Sequence, residues 1–185
     1  VARNLHVDGI LAVSTVASTD SDPVHAERQA KATEAARAIA QGLNYHGVLC
    51  VEFFVLTDGR LIVNEIAPRP HNSGHFTIDA CVSSQFEQQA RVMAGLPLGS
   101  TALLAPAVML NILGDIWFEP GSNVPREPNW SAALAIPSAK LHLYGKHEAR
   151  RARKMGHITV VGATLEQAQA DAARVAAALG MAAPE

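Results

Sequence analysis

Two glutamates, Glu52 and Glu65, flank a turn in an otherwise apolar stretch, and just beyond the second come Arg69, His71, Asn72, Ser73 and His75. Carboxylates set among Val51, Phe53, Ile62 and Ile66 are poorly solvated, and two that face each other repel, so such a pair requires a cation between them. Oxygen donors favour a hard divalent ion, Mg²⁺ or Mn²⁺, which usually completes its shell with substrate phosphates. The competing reading of a strand glutamate is an exposed edge position or a pair with an arginine. The polar residues that follow sit in a loop stiffened by Pro68 and Pro70 and allowed to turn by Gly74. An ordinary surface loop would carry Asp, Lys, Ser and Gly without paired imidazoles; this one presents its groups to a ligand.

The element that must position the glutamates is a β-hairpin. Residues 48–56 are dense in β-branched and aromatic side chains, 57–60 (Thr-Asp-Gly-Arg) are a turn signal, and 61–66 form a second apolar run. With Asp58-Gly59 as a two-residue loop, Thr57 faces Arg60, and the register runs through Leu56/Leu61 and Phe54/Val63 to Glu52/Glu65. A three-residue loop would move Glu65 to the other face and break the pair.

Around the hairpin the pattern is α+β. Residues 10–16 alternate as a strand, with His6 just before it. Asp22-Pro23 starts a helix that runs to Gln41 and stops at Gly42, with Val24, Ala35, Ile39 and Leu43 facing a sheet. Residues 77–94 are helical in two pieces, and the run LPLGST marks a boundary between a unit 1–100 and a unit 101–185. In the second unit, 107–113, 139–144 and 157–161 read as strands, 119–129 as a loop and 130–135 as a short helix. Thr164 and Gln167 form a capping box for a terminal helix closed by Gly180. Between two of these strands lies a basic segment with Lys146, His147, Arg150, Arg151, Arg153 and Lys154. It suits a phosphate monoester, the competing reading being a solvated charge run.

Composition narrows the class. With 185 residues and 49% hydrophobic content the chain can bury a core of its own, and a formal net charge of -2 argues against nucleic-acid binding by phosphate neutralisation. Cys50 and Cys81 sit in apolar surroundings, as buried thiols of a reducing compartment do. No apolar run reaches membrane-spanning length, so a soluble cytoplasmic protein without membrane partners is expected. Neither GxxxxGK[ST] nor GxGxxG occurs.

The run NEIAPRPHNSGHFTIDACVSSQFEQQARVMAGLPLG resembles the signature of carboxyaminoimidazole ribonucleotide synthetases, the ATP-grasp enzymes also called the ATPase subunit of phosphoribosylaminoimidazole carboxylase. The resemblance continues through Asn4-Leu5-His6, Asp8-Gly9-Ile10-Leu11, the LHLYGK run at 141–146 and Arg153-Lys154-Met155-Gly156-His157. It implies the C-terminal part of an ATP-grasp fold, an antiparallel sheet with packed helices, followed by a small β-rich domain. It also implies that the glycine-rich phosphate loop lies upstream of Val1, that this piece alone is inactive, and that the whole is a homodimer. The reaction implied is ATP-dependent carboxylation of aminoimidazole ribonucleotide with bicarbonate through carboxyphosphate. Glu52 and Glu65 would then hold magnesium, with Asn64 beside them and His6 at the nucleotide. Arg69 would neutralise the transferring group, and His71 and Asn72 would orient bicarbonate or the amine. Lys146, Arg153 and Lys154 would hold the ribonucleotide phosphate. Relatives commonly have Pro-Gly where this chain has Arg151-Ala152, which bears on the path of that loop. Three other readings stay open: another ATP-grasp ligase, a metal-dependent hydrolase on the paired carboxylates with His71 and His75 as further ligands, and a non-catalytic piece that binds substrate or dimerises.

Overall fold

An Asp-Gly turn folds strand β1 (Arg3–Val7) back on β2 (Ile10–Val16) in a computed structural model that describes residues 1–17 and 23–182. Asp8 and Gly9 both have positive φ, 50° and 76°, as a two-residue turn matched to strand twist demands. His6, expected just ahead of a strand, is therefore inside one. Helix α1 (Pro23–Gly42) follows as expected, while its expected cap, Asp22, lies outside the described residues. It buries only Ala32 among its described residues. Val24 and Leu43, expected on a packed face, are exposed.

Strands β3 (Cys50–Val55) and β4 (Leu61–Ala67) form a two-stranded antiparallel sheet. A 3-10 turn at Asn72–Gly74 leads into α2 (Thr77–Ala80) and α3 (Gln85–Met93), the two helical pieces expected over 77–94. Ser84 caps α3 by accepting from the Glu87 N–H. Then come β5 (Ala107–Leu113), a 3-10 turn at Gly114–Trp117, α4 (Trp130–Leu134), β6 (Ala139–Leu143), β7 (Lys154–Val161) and α5 (Leu165–Leu179). Strand β7 starts at Lys154, three residues earlier than the apolar run suggests. Thr164 accepts from the Gln167 N–H at 3.2 Å, but the Gln167 amide donates to Asp171 instead of turning back to the cap, so only one half of the expected capping box forms.

The chain packs as two compact units, one from the described part of Ser18–Leu104 with Val1, the other from the described parts of Ala2–Ala17 and Ala105–Glu185. The second contains a five-stranded, wholly antiparallel sheet in the order β1-β2-β5-β7-β6. Alternate residues of β5 and β7, namely Val108, Leu110, Ile112, Ile158 and Val160, pack with Ala168, Ala172, Val175, Ala176 and Leu179 of α5 to make its core. The expected division into 1–100 and 101–185 differs from this packing at the N-terminal hairpin. The pairing of β2 with β5 joins segments about a hundred residues apart, which composition along the chain does not register. No helix among the described residues is long and apolar enough to cross a membrane.

Candidate active site

The turn of the β3–β4 hairpin has three residues, Thr57-Asp58-Gly59. The Leu56 N–H donates to the Arg60 carbonyl and the Gly59 N–H to the Leu56 carbonyl, both at 2.9 Å, and only Gly59 takes a positive φ, 85°. Beside the turn the pairs are Val55/Leu61, Phe54/Ile62 and Phe53/Val63, one residue away from the expected Leu56/Leu61 and Phe54/Val63. A bulge at Asn64 then takes up one residue of β4. The two single-residue departures cancel, so Glu52 is paired directly with Glu65, as the sequence suggests. The Glu52 side chain is 9% exposed, whereas Asn64 and Glu65 are exposed.

The loop after β4 brings His71 onto this pair. Its Nδ1 lies 3.7 Å from Oε1 of Glu52, with the imidazole 12% exposed. The Ser73 N–H donates to the same Nδ1 at 3.4 Å, and the Ser73 hydroxyl is 2.9 Å from it. That hydroxyl is also 3.6 Å from Sγ of Cys50, two residues before Glu52 on β3 and hence on the same strand face. Burial pushes the Cys50 thiol up, the Ser73 hydrogen bond opposes this, Glu52 and Glu65 add to the rise, and Arg69 works against it. The thiol therefore senses both carboxylates and the guanidinium. Arg69 is exposed and donates to the Pro70 carbonyl at 3.1 Å, while Asn72 is buried in the 3-10 turn.

Gln85, at the start of α3, fixes the loop. Its Oε1 accepts from the His71 N–H at 2.9 Å, and its Nε2 donates to the His71 carbonyl at 2.7 Å and to Nδ1 of His75 at 2.8 Å. A side chain at Gly74 would put its Cβ 2.6 Å from that Oε1, so glycine there keeps the clamp in place. Neither Cys50 nor Gln85 was among the expected site residues. The two-residue spacing of Cys50 and Glu52 on a strand is a readable signal for the first, whereas nothing in the local sequence marks Gln85 as the partner of His71.

The remaining expected residues belong to the second unit. His6 is exposed on β1, at one edge of the five-stranded sheet. Lys146 lies in the loop after β6, the strand at the opposite edge. Lys146 donates to the Lys154 carbonyl and stands 5.7 Å over the Tyr144 ring, and Arg153 donates to the Glu148 carbonyl at 3.0 Å. Within the basic segment Arg150 is paired with Glu148 and Arg151 with Asp115. Arg150 above all, and Arg153 to a smaller degree, hold the Glu148 carboxyl below its usual range. The loop keeps the backbone a glycine would favour: Ala152 has φ 59°, and its N–H donates to Asp115 at 2.8 Å.

Residues 1–86 match the ATP-grasp domain, and residues 107–171 match the phosphoribosylaminoimidazole carboxylase C-terminal domain. The N5-carboxyaminoimidazole ribonucleotide synthase of Bacillus subtilis is 48% identical over 160 residues, covering 85% of this chain and 38% of the relative. The chain belongs to the N5-carboxyaminoimidazole ribonucleotide synthase family of ATP-grasp proteins. Among solved structures, the Thermus thermophilus synthetase matches with a TM-score of 0.84 at 36% identity, covering 100% of this chain and 47% of that one. The Aspergillus clavatus synthase in complex with ADP and 5-aminoimidazole ribonucleotide matches with a TM-score of 0.82 at 33% identity, covering 97% of this chain and 46% of that one. The chain thus spans about two fifths of the length of the Bacillus subtilis relative. Its ATP-grasp part is the α+β portion with helices and antiparallel strands, and its C-terminal part is the smaller β-rich one.

Proposed function

We propose that this chain supplies the carboxylate pair and substrate loop of an ATP-grasp ligase that carboxylates aminoimidazole ribonucleotide with bicarbonate, giving carboxyaminoimidazole ribonucleotide, ADP and phosphate. The observation that carries the reading is the direct pairing of Glu52 with Glu65 beneath His71. The donor set fits a hard divalent ion, since two opposed carboxylates, one of them nearly buried, need positive charge between them. Glu52 and Glu65, with Asn64 beside them, would hold magnesium, which when bound neutralises the charge of the nucleotide phosphates.

The chain's own residues do the rest by position and charge. A bicarbonate oxygen attacks the γ-phosphorus, ADP leaves, and the carboxyphosphate so formed gives up phosphate to deliver carbon dioxide to the amine, which loses a proton. The exposed Arg69 guanidinium meets the charge that builds on the transferring group. His71, locked through its backbone by Gln85, and Asn72 orient bicarbonate or the amine. Lys146, Arg153 and Lys154 take the ribonucleotide phosphate, and His6 the nucleotide. Bicarbonate as co-substrate and a dimeric, cytoplasmic protein belong to the same proposal.

The test is phosphate release from MgATP in bicarbonate buffer, by the Bacillus subtilis relative with its matching part replaced by this chain. Release should depend on aminoimidazole ribonucleotide, and Glu65→Gln should lower it by more than the roughly 10- to 100-fold that loss of a merely supporting partner costs. Release indifferent to the ribonucleotide would overturn the substrate, and turnover retained by Glu65→Gln would overturn the metal assignment.

A further inference from the structure

The carboxylate pair has a neighbour that a hard-ion site does not need. Sγ of Cys50, a carboxylate oxygen of Glu52 and a ring nitrogen of His71 lie within 4.8 Å of one another. We propose that these three residues bind a thiophilic divalent cation, Zn²⁺ or its surrogate Co²⁺, at a site chemically distinct from the Glu52/Glu65 pair.

Tetrahedral zinc at its usual bond lengths holds sulfur, nitrogen and oxygen donors about 3.3–3.6 Å apart, so closing this cluster takes about 1 Å of side-chain movement. Nδ1 of His71 and Oε1 of Glu52 are already 3.7 Å apart. The Ser73 N–H donates to Nδ1 at 3.4 Å, so this nitrogen turns its lone pair to a donor, as it must toward a metal. The Ser73 hydroxyl, 2.9 Å from Nδ1 and 3.6 Å from Sγ, touches both donors and turns aside when the ion binds. Glu52 and His71 are largely shielded, at 9% and 12% exposure, and Gln85 holds the His71 backbone, so two of the three ligands are pre-placed.

Donor chemistry selects the ion. Thiolate, imidazole and carboxylate together suit zinc, whereas magnesium takes oxygen. On binding, the Cys50 S–H bond gives its proton to solvent and sulfur bonds to the metal, so one thiolate and one carboxylate balance the charge of the ion. Three protein ligands leave a fourth position for water. The site stands without the ligase reading, but because Glu52 is common to both sets, the soft ion and the hard ion exclude each other.

The experiment titrates this chain with Co²⁺, following thiolate-to-cobalt charge transfer and the visible bands of tetrahedral cobalt, then displaces the cobalt with Zn²⁺. One cobalt per chain with a sulfur band is expected. Cys50→Ser, shown by circular dichroism to be folded, should lose the band and weaken zinc by more than the roughly 10- to 100-fold worth of an outer-shell partner. Cys81→Ser and Glu65→Gln should keep the band. Absence of the band from the unmodified chain, its survival in Cys50→Ser, or its loss in Cys81→Ser or Glu65→Gln would overturn the site. No nucleotide enters the assay, so its failure is separate from failure of the ligase reading.

Discussion

Strand β7 in the second unit is buried over six consecutive residues and paired on both sides, whereas β3 in the first unit is paired on one side only and ends in two exposed apolar residues, Phe54 and Val55. On β4, Ile62, Val63 and Ile66 are exposed too. The second unit is held by a close-packed apolar core and carries its cations on a rim loop. In the first, side-chain amides fix the backbone around the site: Gln85 holds His71, Gln88 exchanges two hydrogen bonds with Gly99, and Gln89 accepts from the Val48 N–H at 2.8 Å. Packing supplies stability in bulk, while an amide clamp sets the position of one named group.

The largest test of that contrast is Ile158→Ala against Phe54→Ala. Ile158 is fully buried, and its truncation should lower the stability of the second unit by about 2–5 kcal/mol. Phe54 is 58% exposed, and its loss should change the first unit by under about 0.5 kcal/mol. Trp117 and Trp130, the only tryptophans in the sequence, report on the second unit by fluorescence in urea, and circular dichroism covers the first. Equal effects would erase the distinction.

Next in size is Gln85→Leu, which removes the three hydrogen bonds the amide makes to His71 and His75. A cost of about 1–3 kcal/mol is expected, read as faster hydrogen exchange of the His71 amide. Unchanged exchange there would mean that the loop is held by its prolines alone.

A smaller effect, of opposite sign, is expected from Ala152→Gly. The left-handed backbone costs a non-glycine residue about 1–2 kcal/mol, and part of the relief is offset by the freer unfolded chain, leaving a gain of about 0.5–1 kcal/mol. A loss of stability would show that the alanine methyl makes a contact worth more than the strain.

The smallest is a pH effect at Asp171. Hydrogen bonds from Gln167 and Ser138, then Arg174, hold its carboxyl below the usual range. A depressed carboxyl contributes stability above its unfolded pKa, about 3.9, and loses it as pH falls through the folded value. The advantage of the natural chain over Asp171→Asn should therefore be full at neutral pH and shrink in acid, as urea titrations at the two pH values would show. A difference independent of pH would place the effect in packing and not in charge.

Much of this was legible in the chain itself. Residues 107–113 form a strand whose bounds match the expectation, Thr164 and Gly180 bracket α5, and Glu52 is paired with Glu65 as the hairpin suggests. The Asp-Gly dipeptide was less decisive. At Asp8-Gly9 it closes a two-residue turn, and at Asp58-Gly59 it ends a three-residue one.

The sequence by itself determined the local choices: which segments extend or coil, where charge and imidazole concentrate, and which family motif runs through them. Local sterics, side-chain periodicity and capping act over a few residues, so a few residues suffice to read them. Only the tertiary structure decided that the N-terminal hairpin joins β5, that a bulge at Asn64 restores the Glu52/Glu65 pair, and that Gln85 and Cys50 converge on His71. Those outcomes rest on contacts between distant segments and on offsets that cancel, and the physical reason they were not legible is that each depends on the sum of the chain's path and not on any one stretch of it.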